Sequence, residues 1–181
     1  MRAPSLYETV LGARYAELAP AVQTFHRMTG AVTLHGEVET EPPASRLARV
    51  LAWCIRTPRT PTCGPIRITL NAGATEETWT RHFPRHTMRS TLSLHKGRLT
   101  ERLGAVRLFF ALEANHGVLQ MRLKGLRFLG IPCPVWLRPA VLAEESGDGD
   151  RFHFNVRASL PLLGVVAAYR GYLDLATAER A

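Results

Sequence analysis

The sequence predicts an α+β fold in which a strongly bent antiparallel sheet, or an open barrel, of seven to nine strands carries N-terminal helices packed on it. Three observations predict it. As far as Arg56, apolar residues recur mostly at intervals of three and four; beyond Pro65 they alternate with polar ones, the period of a half-buried strand. Turn formers separate the alternating runs, at Asn71-Ala-Gly73, Lys96-Gly97, Asn115-His-Gly117 and Ser146 to Asp150. Such spacing joins successive antiparallel strands.

Ser5 with Glu8 three residues on forms a capping box, and Leu6, Val10 and Leu11 give the first helix its apolar stripe before Gly12. Pro20 opens a second short helix carrying Val22, Phe25 and His26. Residues 31–39 interrupt the helical period: Val32, Leu34 and Val38 alternate with Thr33, His35, Glu37 and Glu39, so a strand is expected there. After Pro42-Pro43 the clearest helix spans residues 44–56, with Leu47, Val50, Leu51, Cys54 and Ile55 on one stripe and Arg46, Arg49 and Arg56 off it. Pro58, Pro61 and Pro65 stiffen a connector. Strands then follow around Ile66–Leu70, Thr78–Phe83, Met88–Leu94, Arg98–Leu103, Val106–Leu112, Leu119–Leu123, Phe152–Val156 and Val165–Tyr169. The apolar stretch Leu129 to Pro139 holds three prolines that remove ladder donors, so it reads as a turn or lid over the end of the sheet.

At 181 residues and 46% hydrophobic content, a single domain over residues 1–181 is expected. The formal net charge of +8 raises nucleic acid, anionic membrane and acidic ligands as partners. Nucleic acid is discounted, because the cations are scattered singly through strands, as at Arg67, Arg107, Arg122 and Arg157. Three cysteines without a Cys-x-x-Cys spacing indicate neither a disulfide framework nor zinc, and fit a reducing, cytoplasmic setting. The most apolar internal stretch, Leu160 to Tyr169, is bounded by Arg157 and Arg170 and is too short to span a bilayer, which needs about 20 apolar residues.

Two segments put a charge where alternation calls for an apolar side chain. Trp79, Arg81 and Phe83 share one face of their strand, and Leu99, Glu101 and Leu103 share one face of theirs. A buried charge without a partner is costly, so Arg81 and Glu101 are expected to pair, with Ser90 from the intervening strand completing the hydrogen bonds. Alternatively Arg81 anchors the polar end of a ligand, a carboxylate or phosphate, at the bottom of an apolar pocket.

Other chemistry finds little support. His82 and His86 are separated by Pro84 within an alternating segment, so their spacing has no metal-binding meaning; they are read as surface or turn histidines, as are His26, His35, His95, His116 and His153. No metal, cofactor or catalytic residue is predicted. Ser90 lacks the strand-turn-helix context of a nucleophile, and no glycine cluster opens a helix after a strand.

Taken in order, Leu11-Gly12, Leu18-Ala-Pro20, His26, Trp79-Thr-Arg81-His-Phe83, Ser90, Glu101-Arg-Leu-Gly104, Leu129-Gly-Ile-Pro132-Cys-Pro134 with Leu137 and Pro139, Leu160-Pro-Leu-Leu-Gly164 and Tyr169-Arg-Gly-Tyr-Leu173 resemble the bacterial family called domain of unknown function 4166. The resemblance runs nearly the full length. It implies a module also found at the C-terminus of saccharopine dehydrogenase-like proteins, with no established activity; this chain lacks that dinucleotide-binding portion.

The expected function is a non-catalytic binding module holding an apolar or amphipathic ligand in a sheet-lined cavity, the partner being an apolar or anionic small molecule, with Trp79, Arg81, Ser90, Glu101 and Tyr169 as candidate ligand-binding residues. Two alternatives stand beside it. One is an interaction domain that docks on a dehydrogenase-like protein or a membrane surface through Pro132, Pro134 and Trp136. The other is an enzyme using Glu101 as acid or base beside Arg81 and Tyr169.

Overall fold

In the computed structural model, residues 3–180 are described. Helix α1 (Leu6–Leu11) begins with the expected capping box: Ser5 Oγ accepts from the Glu8 amide and the Glu8 carboxylate accepts from the Ser5 amide. A 3₁₀ turn (Gly12–Glu17) and α2 (Pro20–His26) follow, with Pro20 in the first turn, where its missing N–H costs nothing. After β1 (Gly30–Glu41), α3 (Arg46–Cys54) starts on Ser45, whose hydroxyl accepts from the Ala48 amide. The remainder is β2 (Thr62–Ala72), β3 (Glu76–Phe83), β4 (His86–His95), β5 (Arg98–Leu103), β6 (Val106–Asn115), β7 (Val118–Phe128), the two-residue β8 (Ile131–Pro132), a 3₁₀ turn (Val135–Leu137), β9 (Ala140–Asp148), β10 (Arg151–Leu160) and β11 (Gly164–Arg180).

Every pairing between the named strands is antiparallel, in the order β6-β5-β4-β3-β2-β1-β11-β10-β9-β7, and β6 also pairs with β7. The sheet therefore closes. Ten strands form the barrel and β8 extends one edge of β7, so the expectation of an open sheet of seven to nine strands is corrected on both count and closure. The tenth strand is β9. Its inward positions are Val141, Ala143 and Glu145, where a small residue and a carboxylate stand in for the usual apolar pair, so alternation there does not announce a strand. Closure satisfies the backbone groups that sheet edges would expose.

Inward side chains fill one end of the barrel and leave the other open. α1 and α2 plug the filled end: α2 packs on β9 and β10, α1 on β5 and β6, and the Ala19 amide donates to Gly117 O in the β6–β7 turn. Gly147 lies so close to Ala21 and Ala19 that a Cβ there would come within 2.8 Å of the Ala21 methyl. Tyr7, Phe25 and Phe152 are fully enclosed, with the Phe25 and Phe152 rings stacked at 4.0 Å.

α3 crosses the opposite end. Its chain is tied to the β10–β11 turn by Ala44 N–H to Val165 O and Ser45 Oγ–H to Leu163 O, and to the β3–β4 turn by the contact of His86 Nε2 with Arg56 O. Here only part of the apolar stripe faces the core, Leu51 and Ile55 being half-buried against it. Ala48 and Ala52 pack on Val166, while Leu47 and Val50 stand more than half exposed at the rim. Among the described residues, no helix is long and apolar enough to cross a membrane.

Candidate functional site

Strand alternation turns Glu77, Trp79, Arg81 and Phe83 of β3 into the barrel. β4 adds Met88, Ser90 and Leu92 to the same interior face, and β5 adds Leu99, Glu101 and Leu103. The pairing of Trp79 with Ser90, and of Leu92 with Glu101, brings the three polar side chains together across adjacent strands. Arg81 Nη1 donates to Ser90 Oγ at 2.9 Å, and Arg81 Nη2 lies 3.8 Å from Glu101 Oε1. The expected triad is present, with a difference in rank. The hydroxyl takes the direct hydrogen bond, and the carboxylate stands beyond hydrogen-bond range as a loose ion pair. The Arg81 guanidinium also covers the Trp79 ring at 4.9 Å, a cation–π contact that offsets part of its desolvation.

A second polar group adjoins the first. His26, read from sequence as a surface or turn residue, is buried: its Nε2 is 2.6 Å from Glu145 Oε2, and its ring stacks on Tyr7 at 3.6 Å. The correction has a simple cause. His26 closes the last turn of a helix that plugs the barrel, and its partner lies on the strand the sequence conceals. Glu77 accepts from Trp79 Nε1–H at 3.2 Å. Alternation extended two residues upstream of Trp79 would have found Glu77. His26 carries no comparable signal, since its burial depends on a contact 119 residues away.

Burial dominates the electrostatics of this floor. It lifts the Tyr7 hydroxyl well above its ordinary range, helped by Glu145, Glu77 and Glu101 and opposed by Arg81. Tyr169 is raised by the same desolvation, again opposed by Arg81. Burial also raises the Glu77 carboxyl above 4.5, opposed by His26 and the Trp79 hydrogen bond. A carboxyl raised in the folded state costs no stability below its unfolded value and lowers stability as pH rises through the folded value. Glu77→Gln, which keeps an oxygen for Trp79 Nε1–H, is therefore expected to be more stable than the parent at neutral pH. The advantage should vanish below 4.5, as urea unfolding on both sides of that value would reveal.

Above the floor lies an almost wholly apolar cavity of about 610 Å³, bounded by Met88, Leu92, Phe110, Met121, Phe154 and neighbouring side chains. Tyr7, Trp79, Arg81, Glu101, Glu145 and Tyr169 form its polar part. Of the sequence-predicted ligand residues, Trp79, Arg81, Glu101 and Tyr169 thus border open volume, while Ser90 supports Arg81 from the wall. Pro132 and Pro134 line the mouth; Trp136 is not among the lining side chains and is 76% exposed. Tyr7 Oη and His26 Nδ1 are buried without a hydrogen-bond partner in the described structure. Among the described residues, no group of three or more His, Cys, Asp or Glu side chains could hold a metal ion.

Comparison with solved structures finds similarity to Rv2717c from M. tuberculosis, with a TM-score of 0.47 and 12% sequence identity over 87% of this chain and 98% of that one. None of the curated proteins matches in sequence. The profile of the family described as Domain of unknown function (DUF4166) matches residues 18–173, which include every strand of the barrel in whole or in part and all the polar floor residues except Tyr7. The chain belongs to that family.

Proposed function

We propose that the barrel is a non-catalytic binding module that holds an apolar or amphipathic molecule, its polar end resting beside Arg81 and Glu101. The observation that carries this reading is open volume directly beside the Arg81–Glu101 pair. A cavity of about 610 Å³ falls within the roughly 300–1,000 Å³ of small-molecule sites, and its apolar walls with a few convergent polar groups have the usual composition of such sites.

Charge favours one kind of polar end. Arg81 already faces Glu101, His26 faces Glu145, and Glu77 adds a further carboxyl. A ligand carboxylate or phosphate would have to compete with Glu101 for the guanidinium in a desolvated setting, and that costs affinity. A hydroxyl can donate to Glu101 without bringing charge. The preferred ligand is accordingly a long apolar molecule ending in a hydroxyl.

Displacement of a bound apolar fluorescent dye measures this preference. A long-chain alcohol should displace the dye at least about tenfold more effectively than the carboxylate of equal length, the equivalent of about 1.4 kcal/mol. Failure of the dye to bind would refute the cavity reading, and a preference for the carboxylate would refute the assignment of the polar end.

A further inference from the structure

The open end of the barrel is ringed by apolar side chains that the fold leaves uncovered. They come from three separate elements. α3 contributes Leu47, Val50 and Trp53, the last 63% exposed; the β7–β9 connection contributes Val135 and Trp136; and the tip of the β10–β11 turn contributes Leu162, which is fully exposed. These elements are held around the same opening: α3 bonds to the β10–β11 turn through Ser45, and Leu129 N–H donates to Ala105 O in the β5–β6 turn, where Gly104 lies against Cys54 O of α3. Leu47, Leu51, Ile131 and Leu137 carry the apolar surface inward, so rim and cavity are continuous. Patches of this kind on one end of a molecule mark contact surfaces.

Charge selects the partner. The chain contains no aspartate or glutamate between residues 42 and 75 or between residues 114 and 143, the two stretches that supply α3 and the β7–β9 connection. They carry Arg46, Arg49, Arg56 and Arg59, and Arg127 and Arg138, around the mouth. The plugged end is mixed: Glu8, Glu17, Glu76, Asp148 and Asp150 share its helices, turns and strand ends with Arg14, Arg27, Lys96, Arg98 and Arg151. Uncompensated positive charge thus lies in the segments at the opening, beside the apolar rim. Tryptophans amid arginines suit the headgroup level of a bilayer, where the ring meets the acyl boundary and the guanidinium meets lipid phosphate.

We propose that the mouth of the barrel docks on anionic lipid bilayers through Trp53, Trp136 and Leu162, with the surrounding arginines supplying electrostatic attraction. Docking would place the opening against the acyl region, so that an apolar ligand enters or leaves without crossing water. Only that purpose rests on the ligand-binding reading. The docking itself rests on the rim.

Co-sedimentation of the full chain with phosphatidylcholine vesicles, with and without phosphatidylglycerol, tests the proposal. The expected result is binding to the anionic vesicles that weakens with salt and is at least tenfold poorer to phosphatidylcholine alone. Trp53→Ala with Trp136→Ala should weaken it at least tenfold, and Arg46→Gln and Arg49→Gln by about fivefold each, the equivalent of about 1 kcal/mol per arginine near a charged surface. All four side chains are exposed, and an unchanged melting curve together with unchanged dye binding would show that the variants fold. Several results would overturn the proposal: no sedimentation with anionic vesicles, sedimentation indifferent to the rim substitutions, or a concentration-dependent dimer abolished by Trp136→Ala in a protein that ignores vesicles. Dye binding separates the two readings: a protein that binds dye but not vesicles loses the docking proposal alone, and one that binds vesicles but not dye loses the cavity reading alone.

Discussion

Replacing His26 with alanine lowers the unfolding free energy by about 3–5 kcal/mol, because it takes away the ring nitrogen 2.6 Å from the buried Glu145 side chain and leaves that polar group without this partner. The side chains of the pair are 0% and 5% exposed, so the contact is made away from bulk water. The same substitution removes the ring stacked on Tyr7 and the edge contact with Phe25, leaving a void where α2 meets the barrel. Thermal unfolding should fall by about 6–20 °C at this chain length. Combining His26→Ala with Glu145→Ala should cost less than the two single losses added together, since the second substitution removes the polar group that the first leaves without its partner. Strict additivity in denaturant unfolding would mean that the contact contributes nothing as a pair.

The largest functional effect is expected at a residue with no polar chemistry. Ala143 lies on the inward face of β9 between Val141 and Glu145, pairs across the sheet with Met121 and Val156, and borders the open volume. A phenylalanine there projects its ring into space that is not packed, so stability should change by less than about 1.5 kcal/mol. Affinity for an apolar probe should fall about tenfold or more, since the ring takes the place the probe would occupy. Melting and dye titration of Ala143→Phe separate these effects. A destabilised variant that retains full affinity would place the probe elsewhere.

Arg81, Ser90 and Glu101 were legible because they interrupt clean period-two patterns on three consecutive strands, where a charge in an inward register is conspicuous. Glu77 belongs to the same register and needed only a longer window. Glu145 was hidden because it is followed at once by Ser146-Gly147-Asp148, a turn signal that here lies inside the end of a strand. His26 was hidden because nothing in a short helix tells which of its polar residues faces a partner far along the chain. α3 shows the reverse problem. Its apolar stripe was clear, yet the fully buried positions are the pair of alanines, because close approach to β11 at Val166 favours small side chains and leaves Leu51 and Ile55 half-buried and Leu47 and Val50 on the rim. Closure, too, lay beyond local pattern: it depends on β7 pairing with both β6 and β9, across the proline-rich segment that local rules mark only as a break.

The central claim is that the barrel interior admits a ligand, and labelled methionine methyl groups report on it most directly. Met88 and Met121 border the cavity, whereas Met28 lies just beyond α2 outside it. Titration of the protein with a long-chain alcohol, followed by methyl NMR, should shift the Met88 and Met121 signals together, saturating at one molecule per chain, and leave Met28 in place. Met88 and Met121 signals that stay unmoved through the titration would contradict the account.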